Sequence, residues 1–210
     1  MDQTEEDERQ LVDELAARGV PVRSLSDIVW DQPHPEAIPV LLGALEKPID
    51  GLTKLLVLRI LGKPWAYGAS YPVLLEIFRS TDFSRSDSPV SVWDHRQEAF
   101  DSNLIASIAR SPAKGLWPQI LEYARRPDLG SRASLFLHRA GKFRAHADEV
   151  LKLYDEFVGS DSAGIEMSIT QGLRRLGDPR GMTILKRVND ITSEILREKA
   201  RTMDRLQGRD

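Results

Sequence analysis

The sequence predicts an all-α fold, an α-solenoid of about five helix-turn-helix repeats with polar capping helices at both ends. Three observations carry that expectation. Five windows fall into register on one apolar stripe, a further helical run precedes each of the last four, and both ends of the chain are charge-rich with few apolar positions. Residues 1–210 are expected to form a single repeat domain, with an N-terminal cap over 1–33, repeats over 34–189 and a C-terminal helical cap over 190–210.

The windows are "PVLLGALE" from Pro39, "PVLLEIFR" from Pro72, "PQILEYAR" from Pro118, "DEVLKLYD" from Asp148 and "MTILKRVN" from Met182. Their third, fourth and seventh columns are apolar throughout, from Leu41, Leu42 and Leu45 in the first to Ile184, Leu185 and Val188 in the last. Spacing i, i+1, i+4 is one stripe of an α-helix. Pro in the first column suits a first helical turn, where its missing N–H has no partner to lose. Steps between windows are 33, 46, 30 and 34 residues, close to a helix-turn-helix repeat except for the second. The excess falls on "STDFSRSDSPVSV", residues 80–92, whose Ser, Asp and Pro content predicts an exposed inserted loop.

The first helices are read from "GLTKLLVLRILG", "RQEAFDSNLIASIAR", "GSRASLFLHRAG" and "GIEMSITQGLRRLG". Three of them stop on glycine, at Gly62, Gly141 and Gly177, which suits a left-handed C-cap. Short turns after them make neighbouring helices antiparallel. The run from Leu52 to Leu61 is apolar nearly all round, so a helix packed on both sides is expected, with Leu56 inside. Glu5 to Arg18 and Asp190 to Leu206 carry the polar faces that uncovered ends of a stack require.

"LGDPRGMTILKRV" and "AIPVLLGAL" resemble HEAT-type repeats, whose pattern runs Leu-Gly-Asp-Pro-Arg, a small apolar pair and Pro, then a Leu-rich helix. The resemblance spans roughly Pro35 to Val188 and is strongest in the last repeat. The windows at Asp148 and Met182 depart from it by lacking the helix-start Pro, and the Asp-Pro turn is present only at Asp178-Pro179 and, shifted, at Pro127-Asp128. The resemblance implies a solenoid with binding surfaces along its curve and a noncatalytic scaffold or adaptor role.

Composition narrows the function classes. With 29 Lys and Arg against 32 Asp and Glu the net charge is −3, which disfavours bulk binding of nucleic acid unless the charge is segregated. The apolar run Leu55 to Leu58 is cut by Arg59 and Lys63 long before a membrane span of about 20 residues. The first ten residues hold five carboxylates against one Arg, unlike a secretory signal, so a cytoplasmic location is expected. Zero cysteines exclude a disulfide framework, a thiolate metal site and a thiol nucleophile.

Sharper chemical signatures are thin. His95, Glu98 and Asp101 spread over only part of a helix face, and no second His lies within a turn to close a metal site. His138 and His146 straddle the Gly141 turn and read as flank and loop residues. No serine sits in a Gly-x-Ser-x-Gly elbow and no Gly-rich phosphate loop occurs. No catalytic residue, metal or cofactor is therefore expected, and Trp30, Trp65, Trp93 and Trp117 are expected to fill gaps between repeats.

Two surfaces are candidate partner-binding sites. The fifth column of the windows reads Gly43, Glu76, Glu122, Lys152, Lys186, and the eighth reads Glu46, Arg79, Arg125, Asp155, Asn189. In a solenoid these columns stack into a mixed ladder across the inner face, either a solvated face or a docking ridge containing Glu76, Arg79, Glu122 and Lys152. The sharpest asymmetry is Arg125 to Arg144, where Arg125, Arg126, Arg132, Arg139, Lys142 and Arg144 face Asp128 alone, six minus one giving +5. Arg132 and Arg139, seven apart, are expected to share a helix face. Cations near a helix C-terminus are also explained by its dipole, and the functional version is a patch for an acidic protein surface or a phosphorylated group. The expected function is a noncatalytic scaffold or adaptor that binds a protein partner, with nucleic acid disfavoured as a partner and no membrane association. The alternative is a base-excision enzyme similar to the HEAT-like alkylpurine glycosylases, with Trp93 and Asp94, or Trp117, in the site. A bilin lyase built from similar repeats has less support.

Overall fold

The computed structural model describes residues 3–30, 33–84, 92–110 and 116–208, and among them the regular structure is entirely helical. The chain divides into two compact units, Met1–Pro112 and Ala113–Asp210. The first holds α1 (Gln3–Ala17), α2 (Leu25–Trp30), α3 (Ile38–Glu46), α4 (Gly51–Leu61), α5 (Tyr67–Ser80) and α6 (Val92–Arg110). The second holds α7 (Trp117–Ala124), α8 (Ser134–Ala140), α9 (Ala147–Phe157), α10 (Ala163–Leu176), α11 (Met182–Arg187) and α12 (Ser193–Leu206). The five windows lie on α3, α5, α7, α9 and α11, and the four preceding runs on α4, α6, α8 and α10.

In the first unit α4 packs on α1, α2, α3 and α6, while α5 packs on α3 and α6. The acidic run of α1 is not merely a polar cap, because three of its carboxylates reach neighbouring segments. Glu8 accepts from the Leu25 amide at 2.9 Å, Glu14 pairs with Lys47 at 2.7 Å and Asp7 accepts from the Asp50 amide at 2.6 Å. Asp50 then caps α4 through the Leu52 and Thr53 amides and pairs with Arg96 of α6 at 3.1 Å. One carboxylate thus holds α1, α4 and α6 in register.

Several expectations are corrected. Pro72 lies inside α5, which begins five residues earlier at Tyr67. Both Pro72 and Gly68, whose carbonyl loses its donor, lie on an exposed stretch, so water replaces the missing bond. Leu56 is only half-buried and Leu52 is 37% exposed, since the packed face of α4 is Thr53, Val57, Leu58, Ile60 and Leu61. Of the inserted segment, 85–91 lie outside the described residues, but Phe83 is fully buried against Phe78, ring centroids 5.4 Å apart. Its start is therefore anchored in the core.

In the second unit α8, α10 and α12 pack in succession, and α9 contacts both α10 and α11. The buried positions of α12, Ile195, Glu198, Thr202 and Leu206, form one helical stripe, and its exposed positions are polar or charged apart from Leu196 and Ala200. Buried Glu166 accepts from the Ser160 and Asn189 amides at 2.6 and 3.0 Å, and Asn189 donates to the Ser160 carbonyl at 3.1 Å. That carboxylate pins two interhelical turns together.

Among the three stop glycines, only Gly177 is left-handed, with φ +68°. Gly62 and Gly141 have negative φ, and their reason is space. A Cβ on Gly62 would run into the Ser107 hydroxyl. One on Gly141 would sit 2.5 Å from the carbonyl oxygen of Gly172, and one on Gly172 would sit 2.6 Å from Tyr154 Cζ. Here the end of α8 crosses α10 backbone to backbone, over a fully buried tyrosine whose hydroxyl donates to the Leu137 carbonyl at 2.9 Å. Burial pushes the Tyr154 phenol far above its ordinary range.

Asp50→Ala should cost about 2 kcal/mol in urea unfolding, through loss of an N-cap and a charge-assisted contact. Burial alone would raise the Asp50 carboxyl, but the Leu52 amide, the Thr4 hydroxyl, the Thr53 amide and Arg96 together hold it below 3.8. A depressed folded value stabilises fully above the unfolded one and is lost as pH falls through the folded one. Asp50→Asn should therefore flatten the acid limb of stability against pH.

Candidate functional site

In the second unit ion pairs join segments 31 or 32 residues apart, and Arg125 and Asp155 of the eighth column each take part in one. Arg125 of α7 makes a bidentate contact with Glu156 of α9, Nε to Oε2 at 2.7 Å and Nη2 to Oε1 at 2.9 Å. Arg187 of α11 pairs with Asp155 of α9. Arg180 spans Asp178 and Asp148, 2.6 Å to each. Apart from the local Arg180–Asp178 contact these pairs tie α9 to α7, to α11 and to the turn before α11, so Arg125, expected to bind a partner, is engaged within the fold, and Asn189 belongs to the Glu166 network. Glu122 and Lys152 are exposed on α7 and α9; Glu76 and Arg79 are exposed on α5 of the first unit.

The basic segment divides in two. Arg126 forms a two-bond contact with Asp128, at 3.0 and 2.5 Å. Arg132 lies in the 3-10 run Pro127–Ala133, broken at Gly130, whereas Arg139 lies in the last turn of α8. They do not share a helix face. Both have a buried Nε, and the Arg139 guanidinium sits over the Phe143 ring, 5.8 Å from its centroid. Their stems are part of the packing.

The other half forms a cluster at the ends of α8 and α10. Arg175 Nη1 lies 2.5 Å from His138 Nε2 and 3.4 Å from the His138 carbonyl oxygen, and Arg144 Nε donates to the Arg175 carbonyl at 3.1 Å. Lys142, in the turn between, is exposed. Its ammonium is held below the ordinary lysine range by partial burial and by the like charges of Arg139 and Arg175. Arg139, Lys142 and Arg144 thus come together, joined by His138, read from the sequence as a flank residue, and by Arg175, which sequence reasoning missed. A signal existed: Arg139 and Arg175 each stand two residues before the stop glycine of their helix, Gly141 and Gly177.

Trp117 is 5% exposed, stacked on His146 at 5.3 Å and tilted against Phe143 at 5.1 Å. It fills a gap, as expected, and in this position it offers no ring to an extrahelical base. The side chains of Trp93, Asp94 and His95 lie outside the described ones. Asp101 is buried and accepts from Gln97 at 2.7 Å, while His138 and His146 have separate neighbours. Among the described residues no group of three or more His, Cys, Asp or Glu is placed to hold a metal ion, and no helix is long and apolar enough to cross a membrane. Comparison with protein-family models, curated proteins and solved structures gives no match to this chain.

A double-mutant cycle on Arg125→Ala and Glu156→Ala should give a coupling of about 0.5 kcal/mol, small because both side chains are over a third exposed, 40% and 37%. The Arg125 hydrogen bond, against opposing burial, holds the Glu156 carboxyl below its ordinary value. The coupling should therefore be present above the unfolded carboxylate range and vanish as pH falls through the folded value.

Proposed function

We propose that the chain is a noncatalytic scaffold or adaptor of HEAT-like helical repeats, and that it docks an acidic protein surface on the cationic ends of α8 and α10. The alternation of window helices with preceding helices, and the succession α8, α10, α12 within one unit, support a solenoid reading. One observation carries the docking site. Lys142 is exposed in the turn at the ends of α8 and α10, near Arg139 and Arg175, and partial burial followed by the like charge of these two holds its ammonium below the ordinary lysine range. A cluster of like charge gains most from an anion brought by a partner, and such charge steers association. The helix dipoles account for the capping contacts of Arg144 and Arg175. They do not account for a third cation between them.

The exposed residues Lys142 and Arg144 make the cleaner test, because Arg132 and Arg139 are half-packed. In affinity purification from native lysate, the wild-type chain should retain an acidic protein that Lys142→Glu/Arg144→Glu loses, with the helical spectrum unchanged. Purified pairs should associate at least about tenfold more slowly after reversal, and more slowly with rising salt. Equal retention by the reversed variant would remove the patch from the interface. Salt-resistant binding of DNA containing an alkylated base, or release of that base, would replace the scaffold reading with the glycosylase one.

A further inference from the structure

Helix α12 carries two stripes. Ile195, Glu198, Thr202 and Leu206 are buried within the second unit, where α10 and α11 pack on the helix. On the other side Ser193, Leu196, Ala200, Met203 and Gln207 follow one another at spacings of three, four, three and four, the seam that one helix offers to another in a coiled coil. All but the half-buried Met203 are exposed, and Leu196, at 49%, is the most exposed large apolar side chain among the described residues. Ile191, 43% exposed, stands just ahead of the seam. Scattered exposed apolar residues are ordinary, but Leu and Met in heptad register with a small residue between them make a packing pattern. Helix α1 shows the contrast, since it exposes no apolar side chain larger than alanine.

The flanking charges identify what covers this seam. Arg197 and Asp204 directly follow Leu196 and Met203, so both lie on one flank, and both are exposed. When a second α12 packs antiparallel about a two-fold axis at Ala200, Leu196 faces Met203 of the second copy, Ser193 faces Gln207, and the two alanines meet on the axis. Arg197 then stands beside Asp204 of the second copy, within one residue's rise of about 1.5 Å, and symmetry makes the pair twice. Asp204 also has a contact within its own chain, and a carboxylate accepts from more than one donor. A parallel pair would instead set Asp204 against Lys199, which is held at 2.9 Å by both the Val188 carbonyl and Asp190 and is only 15% exposed. An unrelated partner would not require Arg197 and Asp204 to complement each other; a second copy does.

From this self-complementarity we propose that two copies of the chain associate through α12, antiparallel, as a two-fold symmetric dimer. One helix pair buries less than the ~1,200 Å² at the low end of stable interfaces, so the dimer is weak and reversible. The seam shares no residue with the docking patch of Lys142 and Arg144. Sedimentation equilibrium of the full chain over a concentration series tests it, with far-UV circular dichroism and melting temperature as controls on each variant. A monomer–dimer equilibrium in the micromolar range is expected, weakened in Leu196→Gln and unchanged in Lys142→Glu/Arg144→Glu. Arg197→Asp alone and Asp204→Arg alone each set like charges against one another and should weaken it about tenfold or more, whereas Arg197→Asp/Asp204→Arg restores opposite signs and should recover most of the affinity. A chain that stays monomeric into the millimolar range, association that continues beyond the dimer, or a folded double variant as weak as the single ones would each overturn the proposal. A face kept for a different partner gives the first of these outcomes, a head-to-tail contact between copies the second, and a parallel pair the third.

Discussion

The contact of Gly141 with Gly172 over Tyr154 is the constraint on which the second unit depends. Neither glycine is there for backbone freedom, since Gly141 is right-handed and Gly172 lies within α10. A glycine inside a helix costs about 1 kcal/mol relative to alanine, and here the cost is offset by an approach that no side chain would allow. The buried Tyr154 hydroxyl meets the Leu137 carbonyl, one of the last of α8. Packing and hydrogen bonding fix the same crossing, and α8 and α10 end side by side because of it.

That crossing also explains the charge pattern. Two helix ends brought together place Arg139 and Arg175, in equivalent positions, on either side of Lys142, and like charge accumulates. Elsewhere in the unit the repeat spacing does the opposite. Arg125 and Glu156, Asp155 and Arg187, and Asp148 and Arg180 are separated by 31 or 32 residues, so one window segment supplies one charge and the next its opposite. A sequence with nearly balanced charge thus yields a neutralised ladder and a concentrated cationic end. In the first unit, a hub at Asp50 performs the joining that the glycine crossing performs in the second.

The helical alternation was legible because an i, i+1, i+4 stripe survives in every window, and Gly177 was legible because Gly-Asp-Pro combines a left-handed residue with a turn. Other features left no local trace. The six-residue α2 is too short to show a period, and it is fixed by Glu8 from α1. Pro72 resembled the other window prolines, but whether its turn is first or second depends on Tyr67 being buried ahead of it. Column position cannot reveal that Arg125, though exposed, meets Glu156. The basic run was found by counting, which joined Arg132 to Arg139 across a 3-10 turn and omitted Arg175, 31 residues beyond Arg144.

The claim that the glycine crossing holds the cationic cluster together is tested most directly by the pKa of Lys142, followed by NMR of the lysine side chain in the wild-type chain and in Gly172→Ala. A Cβ at Gly172 would lie 2.6 Å from Tyr154 Cζ and displace the ring that lies under the crossing, with overpacking of about 1–3 kcal/mol registering in unfolding. The account predicts that the Lys142 value, lowered in the wild type first by partial burial and then by Arg139 and Arg175, rises as the ends of α8 and α10 separate. A folded Gly172→Ala variant of wild-type stability, with the Lys142 titration unmoved, would contradict it.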